Sequence, residues 1–213
     1  MTSTSASPDR SPDVDGGGLY ALKSVTAIVL SRPVRWAVSA GVSADRITWI
    51  GTGLAALSAV AVLLGATVSA TVWLAVLPLV LARLLCAVAD GQIARQSRTV
   101  HPSGAVLGEM TDRAGDVALA AALLPVAPGG AVIAMVAMLA ADSVSAIGWA
   151  VTGRRHFAGA GGKPDRNILV GVGLIVAVWH PPAAGITVWL LAGVSVVGLV
   201  WRWAHLARDV SDR

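Results

Sequence analysis

Charge is what this sequence has least of. Of its 213 residues, 13% are charged and 55% hydrophobic, with a mean hydropathy of +0.73, whereas soluble domains carry about 25% charged residues. That scarcity excludes a soluble globular domain and marks an integral membrane protein. Cysteine is nearly absent as well. Cys86 alone excludes an internal disulfide, and its apolar surroundings suit a small lipid- or core-facing hydrophobe. The first 20 residues lack the apolar core of a signal peptide and are rich in Ser, Pro, Asp and Gly, so a disordered cytoplasmic tail is expected over 1–20. No convincing internal repeat is present, which argues against an alternating-access transporter.

What remains is mostly apolar runs. Residues 21–46 interleave Lys23, Arg32, Arg35, Arg46 and Trp36 with Val and Ala, the pattern of an amphipathic helix on a membrane surface; an ordinary solvated helix is the alternative. From Ile47 the hydropathy gives six expected spans, about 47–65, 70–89, 104–126, 131–151, 165–180 and 184–202. The fifth is the shortest, and Pro181-Pro182 supplies the break after it. The expected architecture is therefore all-α: a tail over 1–20, a juxtamembrane helix over 21–46, a six-helix membrane domain over 47–205 and a cytoplasmic tail over 206–213.

Loops 66–69, 127–130 and 181–183 contain no Lys or Arg, while the alternate set holds Arg95 and Arg98, then Arg154, Arg155, Lys163 and Arg166, then Arg202, Arg208 and Arg213. This asymmetry predicts that both termini are cytoplasmic and accounts for the net charge of +4 without nucleic acid. Trp73, Trp179 and Trp189 then fall at outer span ends and Trp49, Trp149, Trp201 and Trp203 near inner ends, as an aromatic belt requires.

Against this background, residues 90–116 concentrate the ionisable groups Asp90, Arg95, Arg98, Glu109, Asp112, Arg113 and Asp116. Charges inside or at a membrane pair, bind an ion or face water, so this stretch is the candidate site. The predicted topology puts Asp90, Asp112 and Asp116 at one depth below the cytoplasmic surface. Glu109, Asp112 and Asp116 share a helix stripe, which repels itself unless a cation neutralises it. Carboxylate oxygens without a His/Cys cluster favour Mg2+ or Mn2+ over zinc. Gly91 and Gly104 allow close approach of phosphates to backbone, and Arg95 suits bidentate phosphate binding. For Gly51, Gly53 and Gly108, close helix packing is an equal explanation. Asp142, in the middle of the fourth span, is either paired with Arg83 or Arg113 or exposed to a cavity.

Asp90, Gly91, Ala94, Arg95 and Gly104, in the order D-G-x-x-A-R, eight residues, G, resemble the signature of the CDP-alcohol phosphotransferase (phosphatidyltransferase) family, D-x-x-D-G-x-x-A-R-x8-G-x-x-x-D-x-x-x-D. Ser43–Gly51, with Thr48, is similar to the family's P-N-x-x-T element, and Gly161–Arg166 to a G-K-x-D-R element; the resemblance covers about 25–205. It implies attack of an acceptor hydroxyl on the β-phosphorus of a CDP-alcohol such as CDP-diacylglycerol, with release of CMP. It also implies a Mg2+ or Mn2+ cofactor, a prokaryotic cell-membrane location in phospholipid biosynthesis, and a homodimer.

By the same resemblance, Asp90 and Asp112 are metal ligands and Asp112 also the general base, while Thr48, Asp90, Gly91, Ala94, Arg95, Gly104 and Gly108 line the CDP and phosphate site. Two carboxylates of the pattern are missing, replaced by Ala87 and Gly108. Asp116 or Glu109 is expected to supply a missing ligand, or to act as base. A shifted register with Gly108, Asp112 and Asp116 restores two carboxylates but lengthens the connection from eight to twelve residues, and the strict register is preferred. Arg154, Arg155, Lys163 and Arg166 are either topogenic charges or the binding site of an anionic acceptor. Two other functions stay open: a hydrolase with water as acceptor, and a nucleotide- or lipid-binding pseudoenzyme, because binuclear sites rely on paired ligands.

Overall fold

The computed structural model describes residues 26, 28–152 and 161–211. The expected tail over 1–20 and the loop residues Arg154 and Arg155 lie outside the described residues. Among the described residues every regular element is helical. In chain order these are α1 (Ser31–Ser39), α2 (Ala44–Thr67), a 3-10 segment (Ala70–Ala75) running into α3 (Val76–Gln96), α4 (Pro102–Ala121), α5 (Pro128–Thr152), α6 (Lys163–Trp179) and α7 (Pro182–Ser211).

Four of them are long and apolar enough to cross a membrane: Ala44–Thr67, Ala70–Gln96, Pro128–Thr152 and Pro182–Ser211. The other two expected crossings are present as helices of different character. The stripe of Glu109, Asp112, Arg113 and Asp116 interrupts α4, and α6 is only 17 residues long, short of the ~20 residues of an ordinary crossing. The protein is thus a multi-pass membrane protein with four apolar helices, and its charged groups lie on α4 and its neighbours.

Of the amphipathic helix expected over 21–46, residues 21–25 and 27 lie outside the described residues; within the remainder, α1 has 9 residues. Gly41 takes a left-handed φ of 70° after it, a conformation glycine adopts without a Cβ clash. Ser43 then caps α2, accepting from the Arg46 N–H at 3.4 Å, so the first long helix begins at Ala44 rather than near Ile47. Val34 and Ala37 of α1 are buried with Ile93 near the end of α3, while Trp36 is exposed.

Helix packing follows the small-residue logic of membrane proteins. Gly130, Ala131, Ala134, Ala137, Ala141, Ser145 and Gly148 are buried small residues of α5, which packs against α7. The main apolar core gathers Val62, Trp73, Val80, Leu123, Met138, Val170, Leu174 and Val188. Trp73 departs from the belt role expected of it. It is buried, and its indole N–H donates to the Val62 carbonyl at 3.0 Å; a Cβ at position 65 would overlap its ring. Trp49, Trp149, Trp179, Trp189, Trp201 and Trp203 are all exposed, as belt residues should be.

Candidate active site

Where α3 ends and α4 begins, the helices part around a cavity of about 930 Å³ bounded by α2, α3, α4 and the start of α6. Its two principal walls are joined by a tight turn. Arg98 takes a left-handed φ of 53° there, and the Thr99 N–H returns to the Ala94 carbonyl at 3.0 Å, closing the helix end. His101 caps α4, its Nδ1 accepting from the Gly104 N–H at 2.8 Å. A Cβ at position 104 would lie 2.8 Å from that imidazole ring, so glycine here makes room for the cap. The sequence carried no signal for His101 beyond its place before Pro102.

The cavity wall carries Thr48, Asp90, Gly91, Ala94, Arg95, Gly104 and Gly108, together with Glu109, Asp112 and Lys163. Residues chosen from separate stretches of sequence thus meet in one place. The Thr48 hydroxyl donates to Asp90 Oδ2 at 2.8 Å, and the Gly91 N–H donates to Asp90 Oδ1 at 2.6 Å, fixing both carboxylate oxygens. The Arg95 guanidinium lies beside Gly91, where a Cβ would be 3.5 Å from Nη1. Glu109 pairs with Arg113 at 3.0 Å. Ala87 and Cys86 also line the cavity, and Cys86 Cβ packs against Gly51 of α2.

Asp112 meets protein cations on both oxygens. Lys163 Nζ lies 2.7 Å from Oδ2, and Arg83 Nη2 lies 3.8 Å from Oδ1; Arg83 Nη2 also donates to the Asp112 carbonyl at 2.9 Å. The site therefore includes Arg83, overlooked as a site residue, whose signal was an arginine inside an apolar run one turn before Ala87. Asp116 lies elsewhere. It is 5% exposed, outside the cavity wall, and held by Arg83 Nη1 at 3.0 Å and Arg166 Nη2 at 3.2 Å. The expected basic cluster accordingly divides, with Lys163 on the cavity and Arg166 buried on Asp116. Asp142 is paired, as one of its two alternatives held, but with Arg202 at 3.1 Å; Arg113 reaches only its carbonyl, at 3.4 Å.

No protein-family model matches the chain. The inner membrane protein YnbA of Escherichia coli K12 is 29% identical over 199 residues, covering 90% of this chain and 96% of YnbA. The phosphatidylinositol phosphate synthase PgsA1 of Mycobacterium tuberculosis, in complex with manganese and citrate, superposes with a TM-score of 0.66 at 27% identity, covering 82% of this chain and 87% of PgsA1. With CDP-DAG bound, PgsA1 gives 0.65 at the same identity, covering 86% and 94%.

The chain has the fold of the CDP-alcohol phosphotransferases. Within that fold, the D-G-x-x-A-R element occupies the end of α3 and the following G-x-x-x-x-x-x-x-D the first turns of α4, facing each other across the cavity.

The donors can be tested against a divalent ion, since manganese is bound in the PgsA1 structure. Among the described residues no group of three or more His, Cys, Asp or Glu side chains is arranged to hold a metal. Asp90 and Asp112 line the cavity, and Mg2+ commonly takes one or two carboxylates with substrate phosphates completing its shell. The residues present therefore fit one divalent ion completed by a phosphate ligand. They do not fit a pair, because Ala87 and Gly108 offer no side-chain oxygen and Glu109, the remaining carboxylate on the wall, is paired with Arg113.

Proposed function

We propose that this protein is a membrane CDP-alcohol phosphotransferase, moving a substituted phosphate group, with phosphatidyl the leading candidate, from a CDP-alcohol to an acceptor hydroxyl. The observation that carries this reading is the single cavity on which Thr48, Asp90, Gly91, Ala94, Arg95, Gly104 and Asp112 converge. The α4 and α6 helices complete six crossings, and the basic loops put both termini and the cavity mouth on the cytoplasmic side, where nucleotides are available.

Arg95 binds a phosphate oxygen of the donor by its guanidinium fork. Thr48 and the Gly91 N–H hold the Asp90 carboxylate in one orientation. The acceptor oxygen forms a bond to the β-phosphorus while the bond from that phosphorus to the CMP oxygen breaks, and CMP leaves. Asp112 accepts the proton of the acceptor hydroxyl. A Mg2+ or Mn2+ ion held by Asp90 and Asp112 would supply charge neutralisation at the pyrophosphate. Lys163, which reaches the cavity, together with Arg154 and Arg155 recruits an anionic acceptor such as an alcohol phosphate, while Arg166 is committed to Asp116. Pairing of two copies into a homodimer belongs to the same proposal.

The test is CMP release from CDP-diacylglycerol by the purified full chain in detergent, with and without Mg2+ or Mn2+, across glycerol 3-phosphate, inositol, inositol phosphate and serine. Metal-dependent release requiring one acceptor supports the transferase.

A second reading has its own observation. The cavity presents a methyl group and a hydrogen at positions 87 and 108, and Asp112 is already neutralised by Lys163. A nucleotide- or lipid-binding pseudoenzyme fits those facts, and it predicts CDP binding without CMP release under every acceptor.

A further inference from the structure

A CDP-alcohol brings a pyrophosphate, and a cavity that receives it must supply positive charge where negative charge sits and develops. The carboxylates of this cavity oppose that unless cations neutralise them. At Asp112 the cation comes from the chain itself. Lys163, 51 residues further on, places Nζ 2.7 Å from Oδ2 with a side chain only 18% exposed.

Its root is fixed independently of that contact. The α6 N-terminus is closed by Asp165, whose Oδ2 accepts from the Gly161 and Gly162 N–H groups at 3.2 and 3.1 Å. Gly161 holds a left-handed φ of 88°, and a Cβ there would lie 2.5 Å from the Val194 carbonyl oxygen. The ammonium thus projects from an anchored helix start onto the cavity wall. It carries three donors, of which Asp112 takes one.

Positions 87 and 108 face the same space without an oxygen ligand. A Cβ at 108 would meet nothing within 4 Å. The volume for another carboxylate is there; the donor is not.

We propose that the Lys163 ammonium is a fixed cation standing in for a second divalent ion, bridging Asp112 and the donor's pyrophosphate, so that the site holds no more than one metal per chain. This rests on the CDP-alcohol reading of the cavity. It also explains why Ala87 and Gly108 stand beside a half-buried lysine: further carboxylates recruit a metal where the ammonium already stands.

The experiment uses the full chain in detergent with CDP as the soluble pyrophosphate probe. Mn2+ bound in the presence of CDP is counted by electron paramagnetic resonance, and CDP affinity is measured by calorimetry in Mn2+ and in EDTA. The expected results are no more than one Mn2+ per chain and CDP binding that persists in EDTA. Lys163→Gln should weaken the EDTA-resistant binding about tenfold, the size of one charge-assisted hydrogen bond. Lys163→Arg, which keeps the charge, should retain most of it, and thermal melts of both variants separate this effect from misfolding. The A87D/G108D variant should gain a second Mn2+. Two Mn2+ per wild-type chain, CDP binding that vanishes in EDTA, or EDTA-resistant binding unchanged in a folded Lys163→Gln variant would each overturn the proposal. CMP release with two bound ions would remove this inference and leave the transferase; EDTA-resistant, Lys163-dependent CDP binding without CMP release would do the reverse.

Discussion

The Thr48 hydroxyl donates to Asp90 Oδ2 at 2.8 Å across 42 residues of sequence, tying α2 to α3 at the cavity wall. A carboxylate that must present an oxygen to an ion or phosphate gains from such a fixed partner, because its orientation is set before the ligand arrives. Thr48→Val keeps the shape and removes the donor. The expected outcome is a fall in kcat/KM for the CDP-alcohol of about tenfold, the weight of one hydrogen bond to a charged group, with little change in thermal stability. Steady-state kinetics beside a melting curve check both halves.

Asp112 and Asp116 lie one turn apart on α4 and should behave oppositely. Asp112 is on the cavity wall, and Asp112→Asn should lower CMP release by about 100-fold or more while the protein still folds. Asp116 is sealed between Arg83 and Arg166. Asp116→Ala leaves two buried guanidinium groups without their carboxylate, and should destabilise the fold by about 3–5 kcal/mol. Unfolding in detergent and CMP release, measured on both variants, distinguish the two roles. An Asp116→Ala protein of wild-type stability and lost metal binding would return Asp116 to the list of ligands.

The ion pair of Asp142 and Arg202 joins α5 to α7 at 3.1 Å, with Ser145 accepting from the same guanidinium nitrogen at 3.2 Å. Removing one partner strands the other in an apolar interface. Arg202→Leu and Asp142→Leu should each lower the melting temperature, and the double substitution should lower it less than their sum. Additive losses would mean that the pair is not coupled.

Gly161 begins the strap that seats Lys163. Gly161→Ala meets both a left-handed φ and the Val194 carbonyl, so it should destabilise by about 1–3 kcal/mol. Because Lys163 follows two residues later, CDP affinity should fall as well. Loss of stability with unaltered CDP affinity would separate the strap from the site.

Much of this arrangement was legible in the sequence, for reasons that differ by residue. Asp90, Arg95 and Asp112 stood out because charge in an apolar chain is rare, with Asp90 and Arg95 in the last two turns of α3 and Asp112 midway along α4. Long apolar helices were visible because hydropathy is a property of the segment itself. Asp116 sits apart from the cavity because one helix stripe carries both a cavity-facing turn and a buried turn, and only the neighbouring helices decide which is which. Arg83 supplies that decision, and Asp116's contact with it depends on how α3 crosses α4. The partner of Asp142 was missed for the same reason, since Arg202 is 60 residues away. Trp73 read as a belt residue because position along a span was known, but its rotation about the helix axis was not.

The most direct measurement is the identity of the lipid formed when the purified protein is given CDP-diacylglycerol, Mg2+ and the acceptor panel, with products resolved by mass spectrometry. The account predicts CMP together with a phosphatidyl ester of one acceptor, and neither from Asp112→Asn. Phosphatidic acid as the product would make the protein a hydrolase. CDP-diacylglycerol recovered intact by a folded protein, with every acceptor and each metal, would contradict the transferase and leave a binding protein in its place.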